Sequence, residues 1–108
     1  MCGLIAAQLK TPWLTPERLQ TALGTIVHRG PDGSSQWFAP DRLTAMGHVR
    51  LSIIGLNNGT QPLSHAKGDL HAVVNGEFYG YKAIRAALRE CGYRFMTDSD
   101  SEIALHLY

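Results

Sequence analysis

The second residue, Cys2, is the first candidate for chemistry in this sequence. A small second residue favours removal of the initiator Met1, which would give Cys2 a free α-amine. An α-amine has a pKa of about 7.7–8.0, so a useful fraction is uncharged at neutral pH and could accept the thiol proton, directly or through one water. One residue would then supply nucleophile and base, and Gly3 would let a substrate approach the backbone closely. The alternative is that Cys2 is only a small residue near a chain end.

Asn75-Gly76 could supply the donors that a cysteine nucleophile needs. Thioester formation from an amide passes through a tetrahedral oxyanion, which two well-aimed donors stabilise. The side-chain amide of Asn75 and the N–H of Gly76, at the end of a predicted strand, can be those donors. Because Asn-Gly is also the strongest short turn signal, a simple hairpin is the alternative interpretation.

Three charged residues, Arg50, Glu77 and Asp100, suit a free amino acid as substrate. A free amino acid carries an α-carboxylate and an α-ammonium, so its site needs a cation and an anion held apart while the side chain reaches the nucleophile. Arginine suits bidentate carboxylate binding, and either acid suits the ammonium. Taken alone, Arg50 would be a surface charge and Asp100 a helix cap.

The composition restricts the class of protein. The chain has 108 residues, 44% hydrophobic and 18% charged, which predicts one small globular domain. A net charge of +1 without a basic stripe argues against nucleic acid as a partner. No apolar run approaches the roughly 20 residues of a membrane span, and the N-terminus does not resemble a secretion signal, so we expect a cytoplasmic protein without a membrane partner. The two cysteines form no disulfide framework, and the five histidines show no zinc spacing.

The elements that must position these residues begin with a strand and a helix. Residues 3–7 are short and apolar, which suits a buried strand. Thr15-Pro16-Glu17 combines a capping hydroxyl, a proline and an acid, so a helix is expected to begin there. Its apolar face is predicted from four residues at helical spacing: Leu19, Leu23, Ile26 and Val27.

Strands dominate the middle of the sequence. Residues 28–33 form a turn-rich loop with two glycines and a proline. Strands are predicted at 36–39, 43–54 and 70–74, the second of them bent at Gly47.

The final third predicts a helix, a short extended piece and another helix. Tyr81, Ile84 and Leu88 mark a helix face, and Gly92 lies where a C-cap is expected. A short extended piece holds Phe95, and the segment Asp98-Ser99-Asp100 caps the last helix. The predicted order β-α-β-β-β-α-β-α, with mostly hairpin-like connections, gives an α+β fold around an antiparallel sheet.

Six stretches in one order carry a resemblance to a known family. They are Met1-Cys2-Gly3, His28-Arg29-Gly30-Pro31-Asp32-Gly33, Gly47-His48-Val49-Arg50-Leu51-Ser52-Ile53-Ile54, Gly59-Thr60-Gln61-Pro62-Leu63, Val74-Asn75-Gly76-Glu77-Phe78-Tyr79 and Asp98-Ser99-Asp100-Ser101-Glu102. Together they resemble the N-terminal glutaminase domain of class II glutamine amidotransferases, which are N-terminal-nucleophile hydrolases. The Arg-Gly-Pro-Asp form of the loop is most similar to the asparagine synthetase (glutamine-hydrolysing) branch.

The resemblance implies a role for each site residue. Cys2 would be the nucleophile, and Asn75 and Gly76 would form the oxyanion hole. Arg50 would bind the α-carboxylate of L-glutamine, and Glu77 and Asp100 its α-ammonium. The backbone of four residues would line the pocket: Leu51, Ser52, Ile53 and Ile54. His28, Arg29 and Asp32 would hold the loop at 28–33 in place near the site. The alternative is that they take part directly in the reaction.

The resemblance also implies a larger protein. The family fold is a four-layer sandwich of two antiparallel sheets between helices, so we expect residues 1–108 to be the N-terminal part of such a domain. A synthetase domain that uses ATP and Mg²⁺ would follow, and it would amidate a carboxylate, most simply that of aspartate. A homodimer is compatible with this domain arrangement. Another acceptor, from a cell-wall, polysaccharide or antibiotic pathway, and a non-catalytic binding module are the alternatives. The family usually has asparagine where this chain has Gly80. Because residues 1–108 would be only part of the domain, the isolated chain is expected to be inactive or nearly so.

Overall fold

The computed structural model describes residues 1–54 and 57–108. Within them the strands are β1 (Gly3–Gln8), β2 (Gly33–Phe38), β3 (Thr44–Arg50), β4 (Leu63–Ser64) and β5 (His71–Ala72). The α-helices are α1 (Pro16–Thr25), α2 (Tyr81–Glu90) and α3 (Ile103–Leu107), and 3₁₀ helices span Val27–Arg29 and Asp100–Glu102. All strand pairs between these elements are antiparallel, which confirms the α+β prediction.

The main sheet has the order β1-β3-β2, and its register decides which residues meet at its edge. Gly3 pairs with Val49, and Gly33 pairs with Arg50. The first residues of β1 and β2 and the last residue of β3 therefore lie at the same end of the sheet. This places Cys2, which precedes β1, beside the chain that leaves β3.

Helix α1 covers one face of this sheet. It begins as predicted, because the Thr15 hydroxyl accepts the N–H of Arg18 and caps the first turn. Leu19 and Leu23 are fully buried from that helix. The core around them also contains Leu14, Ala45 and Val49, with Ile5, Ala7, Leu9, Ile26 and Phe38 packed at its margin.

The predicted apolar face of α1 is wrong at its last residue, Val27. Val27 is exposed because α1 ends at Thr25, and the tighter 3₁₀ turn that follows rotates Val27 away from the sheet. Strand β1 also differs from expectation, since burial alternates along it and Leu4 is 40% exposed.

Two predicted strands are longer than the observed ones. The strand expected at 43–54 ends at Arg50, and that expected at 70–74 ends at Ala72. Strand β3 runs unbroken through Gly47, whose missing side chain leaves room for Leu23; a Cβ there would lie 2.9 Å from Leu23 Cδ1. Gly47 is thus a packing glycine rather than the predicted break.

The C-terminal part confirms the second helix and its cap but not the extended piece. Gly92 follows α2 in the left-handed region with φ 92°, as the C-cap position requires. Phe95 lies outside the strands of the described chain and packs its ring between the Arg85 guanidinium and the His106 imidazole instead. A two-stranded sheet of β4 and β5 completes this region.

Candidate active site

A cavity of about 350 Å³ lies between the end of the main sheet and the C-terminal part of the chain. Its walls come from the N-terminus, the chain after β3, the segment before β4, the segment after β5 and the 3₁₀ turn before α3. The sequence-predicted residues that line it are Cys2, Arg50, Leu51, Ile53, Ile54, Asn75, Gly76, Glu77 and Asp100. Residues as far apart in sequence as Cys2 and Asp100 therefore meet around one space.

The Cys2 thiol is held by the backbone at the wall of this cavity. The N–H of Leu51 donates to Sγ over 3.3 Å, and Sγ lies 3.6 Å from the Leu51 carbonyl oxygen, to which the thiol can donate. Arg29 Nε donates to the Cys2 carbonyl over 3.0 Å. These contacts fix the position of the Cys2 sulfur at the cavity wall.

The backbone next to Cys2 also depends on glycine, but for another reason than predicted. Gly3 is buried, and a Cβ there would lie 2.9 Å from Val49 Cγ2 and 3.0 Å from Ile26 Cδ1. Gly3 therefore allows tight packing of the sheet rather than the approach of a substrate. Met1 is 75% exposed at the cavity, so its removal would leave the new α-amine of Cys2 there.

Arg50 is half-buried at the end of β3. Its Nη2 donates to the Ile54 carbonyl over 3.0 Å, which orients the guanidinium along the cavity wall. The interpretation of Arg50 as a plain surface charge is wrong.

Ser52 is the one predicted pocket residue that lies elsewhere. Its N–H donates to Asp32 Oδ2 over 2.7 Å, and the residue lines a second hollow beside β2. Leu51, Ile53 and Ile54 line the cavity, whereas Ser52 does not. The contacts of Asp32 and Arg29 are those of loop organisers, whereas His28 is exposed.

The Asn75-Gly76-Glu77 segment is exposed at the opposite wall. It does not form the hairpin that the dipeptide alone suggests, because β5 already ends at Ala72 and the chain continues into α2. The segment is tied down by the N–H of Phe78, which donates to Asp100 Oδ2 over 2.8 Å.

Asp100 is buried, with 5% of its surface exposed, and it is not a helix cap. The hydroxyl of Ser99 caps the 3₁₀ turn instead, accepting the N–H of Ser101 over 3.3 Å. The carboxylate of Asp100 is thereby left to face the segment after β5 and the cavity. A carboxylate there and the Arg50 guanidinium give the cavity opposite charges from two different walls.

Sequence reasoning missed the polar residues that support this wall. The Gln61 amide contacts Val74, Arg85 donates to the carbonyls of Thr97 and Ser99 over 2.7 and 2.6 Å, and Glu102 accepts three hydrogen bonds from residues 96–97. Gln61 and Glu102 lie inside stretches that carried the family resemblance, which was the available signal.

His48 is a further buried polar residue near the site. Burial lowers the pKa of His48, the charge of Arg50 lowers it further, and a hydrogen bond with the Val74 backbone opposes both. His48 lies fully buried in β3, and its Nε2 has no hydrogen-bond partner within the described part of the chain.

Among residues 1–54 and 57–108 there is no group of three or more His, Cys, Asp or Glu that could hold a metal ion. In the same residues, every helix is too short or too polar to cross a membrane.

Comparisons with known proteins give one consistent result. The profile of a family described as "Glutamine amidotransferase domain" matches residues 1–108. The chain is 39% identical to asparagine synthetase [glutamine-hydrolyzing] 1 of Bacillus subtilis and 42% identical to asparagine synthetase B [glutamine-hydrolyzing] of Escherichia coli, in each case over 100% of this chain. It is also 46% identical, over 85% of its length, to amidase chry2 of Gibberella zeae. The chain spans only 17%, 19% and 14% of the length of these three relatives.

Proposed function

The chain belongs to the glutamine amidotransferase domain family, and we propose that it hydrolyses the side-chain amide of L-glutamine with Cys2 as the nucleophile. One observation carries the proposal: a single cavity collects Cys2, Arg50, the Asn75-Gly76 pair and Asp100 from segments far apart in sequence. A nucleophile, two oxyanion donors, a cation and an anion are the groups that amide cleavage of a free amino acid requires.

Binding of glutamine uses the two charged walls. The α-carboxylate is placed on the guanidinium of Arg50, whose Nη2 donates to the Ile54 carbonyl and whose planar shape suits a carboxylate. The α-ammonium is placed on Asp100, with Glu77 at the exposed rim of the cavity. With both ends of the amino acid fixed, the side-chain amide extends toward Cys2.

Cleavage proceeds through a thioester. After loss of Met1, the α-amine of Cys2 takes the thiol proton, and Sγ attacks the Cδ carbonyl carbon of glutamine. The oxyanion is stabilised by the Asn75 amide and the Gly76 N–H, and the C–N bond breaks as the amine passes the proton to the leaving nitrogen. Ammonia leaves, water then attacks the thioester, and the products are glutamate, ammonia and the restored thiol.

The use of the ammonia is the second part of the proposal. The glutamine-hydrolysing asparagine synthetases among its relatives favour an aspartate acceptor, amidated in a separate synthetase domain. ATP and Mg²⁺ would activate the acceptor there, and residues 1–108 are assigned no contact with either. L-glutamine and that synthetase domain are the proposed partners.

A different acceptor is the second candidate, and one observation favours it. The relative from Gibberella zeae, at 46% identity, is named an amidase rather than an asparagine synthetase. The glutaminase residues would be the same for either acceptor. Product analysis of the full-length protein with aspartate, ATP and glutamine separates the two, because asparagine forms only in the first case.

The glutaminase proposal is tested in the full-length protein by replacing Cys2 with alanine. We expect glutamine-dependent amidation to fall to background while ammonia-dependent amidation is retained. Cys91→Ser is the matched control, since Cys91 is the other cysteine and is exposed far from the cavity. Glutamine-dependent activity that survives in the Cys2→Ala protein would show that the assignment of the nucleophile is wrong. A wild-type protein without any glutamine hydrolysis would favour a non-catalytic binding module.

A further inference from the structure

We propose that Gln61 is a positioning residue that sets the direction in which Asn75 and Gly76 face Cys2. This inference rests on the proposed function, because it concerns the oxyanion donors of that reaction. Gln61 is 6% exposed and lies at the cavity wall.

The side-chain amide of Gln61 makes both of its contacts with one residue. Its Oε1 accepts the N–H of Val74 over 2.5 Å, and its Nε2 donates to the Val74 carbonyl over 3.2 Å. This is the donor and acceptor pair that a neighbouring strand would offer. Since β5 ends at Ala72, the Gln61 side chain takes the place of a strand partner for the residue that directly precedes Asn75.

Gln61 can act in this way because its own backbone is fixed. Its carbonyl oxygen accepts the hydroxyl of Ser35 in β2, and Leu63, two residues later, begins β4. Val74 itself lines the cavity directly before Asn75. The main sheet, Gln61 and Val74 thus form one connected path from the strands to the oxyanion donors.

A glutamate side chain has the same shape as the Gln61 side chain but cannot make both of its hydrogen bonds. In a Gln61→Glu protein one carboxylate oxygen can still accept the Val74 N–H, but the other faces the Val74 carbonyl, and two acceptors repel. The segment would turn away from its present direction. Oxyanion donors act in the transition state, and small displacements of such groups cost about a hundredfold in rate.

The experiment measures glutamine hydrolysis by the full-length protein with Gln61→Glu and with Gln61→Met, which removes both hydrogen bonds without burying a charge. We expect kcat to fall about 10- to 100-fold in both, with KM within about twofold of wild type, because ground-state binding by Arg50 and Asp100 is retained. Alkylation of Cys2 by iodoacetamide has no oxyanion intermediate, and its rate should not change. Gln20→Glu adds the same charge at an exposed position of α1 and should behave as wild type.

Each other result overturns the inference in a recognisable way. A kcat equal to that of wild type in a folded variant shows that Val74 needs no such support. An increase in KM at unchanged kcat shows that Gln61 contacts the substrate instead. A parallel loss of the iodoacetamide rate, or a loss of folding in both variants, shows a purely structural role. If the wild-type protein hydrolyses no glutamine, the proposed function fails, and this inference fails with it.

Discussion

The two walls of the cavity are built in different ways. The first, which we call the sheet wall, consists of Cys2, Arg50, Leu51, Ile53 and Ile54, and it continues directly from β1 and β3. The second, the loop wall, consists of residues 75–77 and 99–101, which lie outside the strands and α-helices of the described chain. The sheet wall continues a hydrogen-bonded ladder, whereas the loop wall is held mainly by polar side chains that bond to backbone groups.

The contrast extends to the contacts that hold each wall. At the sheet wall the close contacts are between backbones: a Cβ on Gly30 would lie 2.5 Å from Arg50 N and from Val49 C and O. At the loop wall buried side chains of Gln61, Arg85 and Glu102 bond to backbone N–H and C=O groups. We therefore expect added atoms to destabilise the sheet wall, and the removal or replacement of polar atoms to destabilise the loop wall.

The largest effect is expected from an added methyl group at the sheet wall. Gly30→Ala would force the loop away from Val49 and Arg50, since backbone atoms cannot move aside as a flexible side chain can. We expect a loss of about 3 kcal/mol in the free energy of unfolding, measured by urea denaturation.

Gly24→Ala is the control for this substitution. Gly24 lies in α1 and a Cβ there would meet nothing within 4 Å, so alanine should stabilise the helix by about 0.5–1 kcal/mol. Equal effects of the two substitutions would contradict the close backbone approach at Gly30.

A smaller effect, with a distinct pH dependence, is expected at the loop wall from Glu102. Burial alone would raise the pKa of this carboxyl, but hydrogen bonds from the N–H groups of Met96 and Thr97, from the Thr97 hydroxyl and from His106 outweigh it and hold the pKa below its ordinary value. Since the pKa is lower in the folded chain, the stabilisation is complete above the unfolded-state pKa of about 4.3 and is lost as pH falls through the folded-state pKa.

Glu102→Gln tests this at two pH values. We expect a loss of about 2 kcal/mol at pH 7, because hydrogen bonds to a charged acceptor are replaced by weaker ones, and a shallower decline in stability below about pH 4.5 than in wild type. Glu90→Gln, at an exposed position of α2, is the control. An unchanged acid decline in the Glu102→Gln protein would show that this carboxylate does not contribute to it.

The main strands and the helix behind the sheet wall could be predicted from sequence, because they depend on periodic patterns. The cap at Thr15 and the spacing of Leu19 and Leu23 gave α1 and its buried face correctly. The loop wall could be recognised only through the family resemblance. Bonds such as those of Arg85 to the Thr97 and Ser99 carbonyls join residues 12 and 14 positions apart, and they have no period that a sequence shows.

The errors follow from the same difference. The strand predicted at 70–74 is cut short where the Gln61 side chain takes over the pairing of Val74, and Phe95 leaves the predicted extended piece to pack against Arg85. Both segments are rich in apolar residues, but a polar side chain from elsewhere decides their structure. The same holds for Ser52, whose N–H bonds to Asp32 and points the residue away from the cavity.

The smallest effect is expected from Arg85→Lys. This substitution tests whether the loop wall positions Asp100 for binding, apart from any effect on the stability of the fold. Lysine cannot bridge both carbonyls as the planar guanidinium does, so the turn that carries Asp100 should move slightly. We expect KM for glutamine to rise about tenfold with kcat nearly unchanged, because Asp100 is proposed to bind the α-ammonium.

The matched substitution is Arg89→Lys, one turn further along α2, where the side chain is exposed and its guanidinium lies 5.7 Å from the centre of the Phe95 ring. It should leave KM unchanged. A fall in kcat without a change in KM for Arg85→Lys would mean that this turn serves the chemical step rather than binding.

The central claim is that Cys2, freed from Met1, attacks glutamine in this cavity, and intact-mass analysis after treatment with a glutamine-analogue electrophile tests it most directly. The full-length wild-type protein and its Cys91→Ser variant should each lack Met1 and gain one adduct, which peptide mapping locates on Cys2 and which excess glutamine suppresses. The Cys2→Ala variant should gain none. Retention of Met1 in the folded protein, or an adduct that persists in the Cys2→Ala variant, would contradict the account.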